Sequence, residues 1–362
     1  MHRRHLLGLT ASTLLPGIAP AQTETRITSS VQRLTLRHRW TTVMSSSDFR
    51  DVLYVELRAL GLTGRGEGAP IVRYGETAAE GRKIVQRIAP ELEKLNFRHY
   101  AKAIDWVLRT VEANWATKAA IDIAIHDWAA QQMGVPVHAL WGLDPGDTPV
   151  TTFTIGIDTA DVIREKVREA EPYPVLKIKV GLQNDEEILE AVRSVTKKPL
   201  RVDANEGWKD KEEAVRKINW LEKMGVESIE QPMPAHMIEE QKWVRQRVHI
   251  PVIADEACLR PEDIPKLANA FDAVNIKIDK AGGLLQGYRM VQIARSLGMK
   301  TMLGCMVSSS VAITAAAHLS PLVDYADLDG NLLISNDPFR GVRVTNGKLV
   351  LPSGNGLGLT AA

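Results

Sequence analysis

Between residues 174 and 280 the chain repeats one arrangement five times: a short, β-branched apolar run that ends in ionisable side chains. The runs are Val-Leu-Lys177-Ile-Lys179, Arg-Val-Asp203-Ala-Asn205, Ser-Ile-Glu230-Gln-Pro, Val-Ile-Ala-Asp255-Glu256 and Val-Asn-Ile-Lys277-Ile-Asp. The successive steps from Lys179 to Asp203, Glu230, Asp255 and Lys277 are 24, 27, 25 and 22 residues, room for one strand, one helix and two loops each. Helix-like segments at 185–195, 211–224 and 261–270 occupy those intervals. Strands buried on both faces read as continuous apolar runs, with helices covering the sheet. The period therefore demands a parallel β/α array. If the array closes into a barrel, the C-terminal ends of its strands converge on one mouth, where barrel enzymes keep their chemistry.

At 362 residues and 44% apolar content the chain can bury one large core and a smaller domain. Its 45 basic and 44 acidic residues nearly cancel, which argues against nucleic acid or an anionic membrane as partner. A small-molecule substrate is expected; self-association into a homo-oligomer is left open. Cys258 and Cys305 fall at expected strand ends without metal-like spacing and read as unpaired core thiols.

Residues 1–21 read as an export signal. Arg3-Arg4 precedes a weakly apolar run over 6–18, and Ala19-Pro20-Ala21 offers small residues for cleavage, a pattern that resembles a twin-arginine signal. The run is too short and too broken by Gly8, Pro16 and Gly17 to span a bilayer. A periplasmic or otherwise exported protein is expected, and a Sec signal is the alternative.

Residues 22–145 follow another pattern. Alternation over 31–40 and 52–60 predicts half-exposed antiparallel strands, with a polar, mobile-looking segment at 41–51 and a turn-rich stretch at 61–68. Helices are expected at 77–88, 100–111 and 115–132, the last with one apolar face formed by Ala120, Ile121, Ala124, Ile125 and Trp128. Strands followed by helices describe a separate α+β domain. The β/α alternation then runs over 146–330, from a first strand at 151–156 to strands at 301–306 and 325–329. Residues 331–362 read as short strands and turns that fold back on the first domain.

Asp203, Glu230 and Asp255 come from three consecutive strand ends, so their oxygens can meet at one point. Without a cation such a group would repel and take up protons. All-oxygen ligation without Cys or His suits a hard ion, Mg²⁺ above all. Lys177 and Lys179 alternate on one strand and share a face. With Lys277 they flank the carboxylates, and beside a cation their pKa values should fall. A neutral lysine can take a proton from carbon while a second, on the other side, returns one.

These residues, with Asp203-Ala-Asn-Glu-Gly-Trp208, Asn275-Ile-Lys-Ile-Asp-Lys-Ala-Gly-Gly283, Gly64-Arg-Gly-Glu67 and Ala120-Ile-Asp-Ile-Ala-Ile-His-Asp-Trp128, resemble the muconate-lactonizing subgroup of the enolase superfamily. The resemblance implies a modified TIM barrel, (β/α)₇β, with an α+β capping domain built from the N-terminal region and the C-terminal tail. It implies Lys179 and Lys277 as the acid/base pair and Lys177 as a helper near the substrate carboxylate. Asp203, Glu230 and Asp255 would be the Mg²⁺ ligands.

The same constellation serves epimerases, cycloisomerases, N-acylamino acid racemases and o-succinylbenzoate synthases, which all pass through an enediolate. Asp327-Leu-Asp329 resembles the Asp-x-Asp signature of dipeptide epimerases, in which the pair binds the substrate's α-ammonium. The expectation is thus a dipeptide epimerase that inverts the C-terminal residue by two-base 1,1-proton transfer. A non-catalytic exported binding protein is the alternative of another class, but it would have no use for two opposed lysines. In this family the loop at 40–49 closes over the site. Met44 and Trp40 would contact an apolar substrate side chain, and Arg37, Arg39 or Arg50 an acidic one.

Overall fold

Two long strands open the described part of the chain, which in this computed structural model comprises residues 24–362; the expected export segment, 1–21, lies outside the described residues. Strands β1 (Arg26–Thr41) and β2 (Ser46–Ala59) pair antiparallel, and β3 (Leu62–Gly68) adds on the far side of β2. The segment expected to be polar and mobile is therefore mostly strand. Trp40 pairs with Ser47 and Thr41 with Ser46, and Thr42 N–H closes the tip on Ser45 O at 3.0 Å. Apolar alternation is missing here because the hairpin tip overhangs the barrel mouth and covers no core of its own. An exposed Arg39–Asp48 pair at 2.8 Å adds little; the backbone ladder holds the tip together.

The stretch expected to be turn-rich is likewise a strand, and its glycines serve close approach. A Cβ at Gly64, Gly66 or Gly68 would lie 2.1, 1.9 or 2.0 Å from the carbonyl oxygens of Ala124, Ala120 and Ala116. Strand positions two apart thus meet helix positions four apart, a match between two residues of extended rise and one helical turn. Three helices follow β3: α1 (Ala78–Leu92), α2 (Tyr100–Thr110) and α3 (Trp115–Met133).

Helix α3 is buried on every side from Ala116 to Ala130, where a single apolar face was expected. Its polar side chains dock neighbours. Asp122 accepts Leu284 N–H at 2.6 Å and Leu285 N–H at 3.3 Å, the otherwise orphaned donors of helix Leu284–Ser296. Asp127 accepts Arg65 N–H and Leu357 N–H, both at 2.7 Å. The polar face is buried because the barrel and the tail lie against it.

Eight parallel strands form the second layer: β4 (Phe153–Ile155), β5 (Leu176–Lys179), β6 (Leu200–Asp203), β7 (Val226–Glu230), β8 (Val252–Ala254), β9 (Ala273–Lys277), β10 (Lys300–Gly304) and β11 (Tyr325–Asp327). They lie in sequence order, and a Thr151–Ala326 bridge with Leu328 N–H on Thr151 Oγ1 at 2.8 Å closes β11 against β4. Helical segments follow each of the first seven strands, and β11 runs into the tail. This is the (β/α)₇β barrel that was expected, with a three-stranded antiparallel cap. Between β8 and β9 the helical segment is only a 3₁₀ turn, Pro261–Asp263, and Ile264–Leu267.

The core lies between strands and helices. Leu176, Ile178, Val202, Ile229, Val252 and Ile276 belong to one buried cluster, each contributing about 1.5–3 kcal/mol. On β5 this leaves the alternate positions, Lys177 and Lys179, facing the barrel interior. Beyond β11 the chain returns to the cap, where Arg37 N–H donates to Leu333 O and Ser335 N–H to Thr35 O, both at 2.9 Å. The tail also touches the loop after α3, where Val137 N–H meets Gly356 O at 2.9 Å. Among the described residues no helix is long and apolar enough to cross a membrane.

Candidate active site

Register sets the site. Lys179, Asp203 and Glu230 are paired positions on β5, β6 and β7, and Lys277, Gly304 and Asp327 on β9, β10 and β11. With Asp255 one residue past β8, all project into the mouth formed by the strand ends. Strands β5 and β9 are four places apart in a ring of eight, so Lys179 and Lys277 stand on opposite sides of it.

Asp203, Glu230 and Asp255 are 0, 3 and 2% exposed, and one oxygen of each lies within 4.8 Å of the others. Ion pairs hold them apart. Lys179 Nζ donates to Asp203 Oδ2 at 2.6 Å, Lys277 Nζ to Asp255 Oδ2 at 2.8 Å and Lys177 Nζ to Glu230 Oε2 at 2.8 Å. Two donors outside the expected set complete the shell: Asn275 Nδ2 on Glu230 Oε1 at 2.8 Å and Lys280 Nζ on Asp255 Oδ1 at 2.5 Å. Gln231 Oε1 takes the Asp255 and Ala257 N–H groups at 2.9 and 3.1 Å. Asn205, Glu206 and Gln231 adopt φ of 42°, 66° and 35° immediately after two of the carboxylates. Left-handed backbone at non-glycine residues is costly and clusters at sites that need a fixed geometry.

Burial pushes the Glu230 carboxyl up, and the Asp203 charge beside it adds to the shift, to about 8. Burial acts the same way on Asp203 and Asp255, but the ammonium pairs Lys179 with Lys177 and Lys277 with Lys280 outweigh it and hold both below the usual carboxylate range. Burial would lower Lys177 and Lys277; instead Asp327, Glu230 and Asp255 dominate and both ammonium groups are raised. The expected lowering rested on a neighbouring cation. Among protein groups alone the carboxylates prevail, since Lys177, Lys179, Lys277 and Lys280 face Asp203, Glu230, Asp255, Glu256, Asp327 and Asp329. This donor set, all oxygen and buried, with six carboxyl groups facing four ammonium groups, fits a hard divalent ion such as Mg²⁺.

Asp327 and Asp329 are both buried at the far side of the mouth. Asp327 does not stand free for a ligand. Its Oδ2 lies 2.5 Å from Lys177 Nζ and its Oδ1 2.5 Å from Thr152 Oγ1, so Lys177 bridges the carboxylate cluster and the end of β11. Asp329 accepts Thr154 N–H at 2.6 Å and forms no ion pair among the described residues. Burial, with Asp327 as a second cause, raises its carboxyl to about 6. A cation arriving there would relieve both. Cys305, expected in the core, instead lines this recess, its Sγ 3.9 Å from Asp329 Oδ1; Cys258 is buried as expected.

Above the carboxylates a cavity of about 530 Å³ extends under the hairpin tip, and a recess of about 30 Å³ leads from it to Asp327 and Asp329. Met44 lines the cavity from the tip, its Sδ 3.8 Å from Arg73 Nη1, and Trp40 lines both spaces. Of the three arginines singled out, Arg39 pairs with Asp48 outside, Arg37 lines a separate crevice, and Arg50 lines the cavity.

Residues 23–142 match the family model for the mandelate racemase/muconate lactonizing enzyme N-terminal domain, and residues 159–362 match the enolase C-terminal domain-like model. The chain is 43% identical to L-Ala-D/L-Glu epimerase of Bacteroides thetaiotaomicron over 333 residues, 90% of this chain and 85% of that one. It is 42% identical to L-Ala-D/L-amino acid epimerase of Pedosphaera parvula over 330 residues, 89% of this chain and 94% of that one. Among solved structures it resembles the dipeptide epimerase from Enterococcus faecalis complexed with Mg and L-Leu-L-Tyr. The TM-score is 0.86 at 30% identity, covering 92% of this chain and 99% of that one. The chain belongs to the mandelate racemase/muconate lactonizing enzyme family of the enolase superfamily.

Proposed function

We propose that the protein is a Mg²⁺-dependent dipeptide epimerase that inverts the α-carbon of the C-terminal residue by two-base 1,1-proton transfer. The observation that carries this is the placement of Lys179 and Lys277 on opposite sides of one carboxylate cluster. The names of the relatives, and the Mg and dipeptide held by the neighbouring structures, support it.

Asp203, Glu230 and Asp255 would hold the ion. When bound it supplies a Lewis acid beside the substrate carboxylate, favouring the negative charge that grows there as the α-proton leaves. The Lys277 ammonium, raised by its surroundings, is suited to deliver a proton to one face of the α-carbon while Lys179 takes the proton from the other. For the opposite diastereomer the two exchange roles. Lys177, fixed between Glu230 and Asp327, orients the carboxylate end of the substrate. Asp329 offers a buried carboxylate without a cationic partner, which suits a free α-ammonium and not the neutral amide of an N-acylated amino acid.

The chain is also proposed to be exported, on the strength of Arg3-Arg4 and the apolar run behind it. Incubating a panel of free dipeptides with the enzyme and Mg²⁺ in deuterated water tests the activity. Interconversion of diastereomers with deuterium at the C-terminal α-carbon supports it. Absence of exchange in every dipeptide sinks it.

A further inference from the structure

Glu230 is held differently from the two carboxylates beside it. Asp203 pairs with the ammonium groups of Lys179 and Lys177, at 2.6 and 3.1 Å, and Asp255 with those of Lys277 and Lys280, at 2.8 and 2.5 Å. Glu230 has Lys177 alone, on Oε2 at 2.8 Å. Its Oε1 accepts instead from a neutral amide, Asn275 Nδ2–H, at 2.8 Å. A carboxylate oxygen offers two acceptor sites, so one donor on each oxygen fixes the plane of the group and leaves a lone pair on each for an ion. An amide does this without adding a positive charge that would oppose a divalent cation.

Asn275 is a poor choice for packing alone. It alternates on β9 with Val274 and Ile276 of the outer core, so it faces the barrel interior, where it is fully buried. Its Oδ1 has no hydrogen-bond partner among the described residues. A buried acceptor left unpaired destabilises a fold, and a leucine of similar size would avoid that. The barrel nevertheless leaves room for the amide. At the buried Gly304 on β10 a Cβ would lie 2.5 Å from Asn275 Oδ1 and 2.7 Å from Nδ2. Gly304 is not in the left-handed region that favours glycine, so clearance for Asn275 is what the position requires.

We infer that Asn275 is a positioning residue that turns the Glu230 carboxylate toward Asp203 and Asp255 so that the three close on one divalent ion, and that Gly304 provides the room in which its amide sits. This rests on the metal-dependent reading of the site and deepens it. Asn275→Leu keeps the shape and removes the donor. Gly304→Ala keeps the asparagine and displaces its amide from the other side.

The experiment titrates substrate-free, chelator-treated protein with Mn²⁺, which shares the preference of Mg²⁺ for oxygen ligands and is followed by the EPR signal of the free ion. Asn275→Leu and Gly304→Ala should each weaken Mn²⁺ binding by about 10- to 100-fold, the usual effect of losing a group that orients a metal ligand. Asn275→Ser, too short to reach Glu230, should do the same and carries the test if the leucine variant does not fold. Thermal melts separate positioning from support. In Asn275→Leu the midpoint of the metal-free protein should change little, while the rise produced by Mn²⁺ should shrink. Wild-type Mn²⁺ affinity in the Asn275 variants, or a midpoint lowered equally with and without the ion, overturns the assignment and leaves the metal site and the epimerase reading standing. A wild type that binds no Mn²⁺ overturns the metal site itself.

Discussion

The Lys177 ammonium lies 2.5 Å from Asp327 Oδ2 and joins the end of β11 to the carboxylate cluster on the other side of the barrel. Both groups are buried, so each depends on the other. Removing one partner of a buried pair typically costs about 3–5 kcal/mol because a lone charge remains. Lys177→Met should therefore lower the urea midpoint substantially as well as abolish turnover. Adding Asp327→Asn to Lys177→Met should recover much of the stability and none of the activity. Equal stability of wild type and Lys177→Met would show that the pair does not hold in solution.

In the proposed function Asp329 recognises the substrate's ammonium. Asp329→Asn is expected to lower kcat/KM for free dipeptides by about two to four powers of ten, the equivalent of a broken buried pair. Acetylating the dipeptide's amine should do comparable damage to the wild type and much less to the variant. Asp327→Asn should also lower kcat/KM, in part by releasing Lys177. Silence of Asp329→Asn with free dipeptides, or a wild-type preference for N-acylated amino acids, would move the assignment to a racemase of acylated substrates.

Metal dependence is expected to appear in stability as well as turnover. Asp203, Glu230 and Asp255 crowd one buried point, where the Glu230 carboxyl is pushed up to about 8, so Mg²⁺ held by them should raise the thermal midpoint of chelator-treated enzyme and restore activity. Asp203→Asn and Asp255→Asn should weaken both effects. A metal-stripped enzyme that keeps full activity would contradict the assigned role of the three carboxylates.

Acid sensitivity has a source remote from the active site. Burial pushes the His318 imidazole down to about 3. Its Nδ1 accepts from His138 N–H at 3.3 Å and His138 Nδ1 at 3.1 Å, while Nε2–H donates to Leu357 O at 3.3 Å. Above about pH 6.5 the ring is neutral in folded and unfolded chains alike. As pH falls from there towards 3, the unfolded chain takes up a proton that the folded one refuses, and about 4–5 kcal/mol is lost across that window. His318→Asn should be less stable at neutral pH and show a shallower loss below pH 6.5. Parallel pH profiles for the two proteins would exclude His318 as the source.

Much of this site was legible in the sequence for a physical reason. A parallel barrel forces each functional side chain to the end of an apolar run, so Lys179, Asp203, Glu230, Asp255 and Lys277 announced themselves by strand length plus helix length. Asn275 carried a usable signal, a polar residue inside a buried strand two positions before Lys277. Lys280 and Gln231 did not, because their roles exist only through contacts with Asp255 made across the fold. Gly64, Gly66 and Gly68 resembled a turn because glycine marks both a reversal and a close approach, and only the carbonyls of α3 distinguish the two. The hairpin tip resembled a loop because strands that cover a cavity need no apolar face.

Hydrogen exchange at the C-terminal α-carbon in deuterated water, followed by NMR for the L,L and L,D diastereomers of one dipeptide, tests the two-lysine scheme most directly when run on Lys179→Ala and Lys277→Ala. Neither variant should interconvert the diastereomers, and loss of a general base should cost about 10²- to 10⁴-fold or more. Each variant should still exchange the α-hydrogen of one diastereomer, the one facing its remaining lysine, and the two variants should differ in which one. Interconversion at near the wild-type rate in either variant would contradict the account.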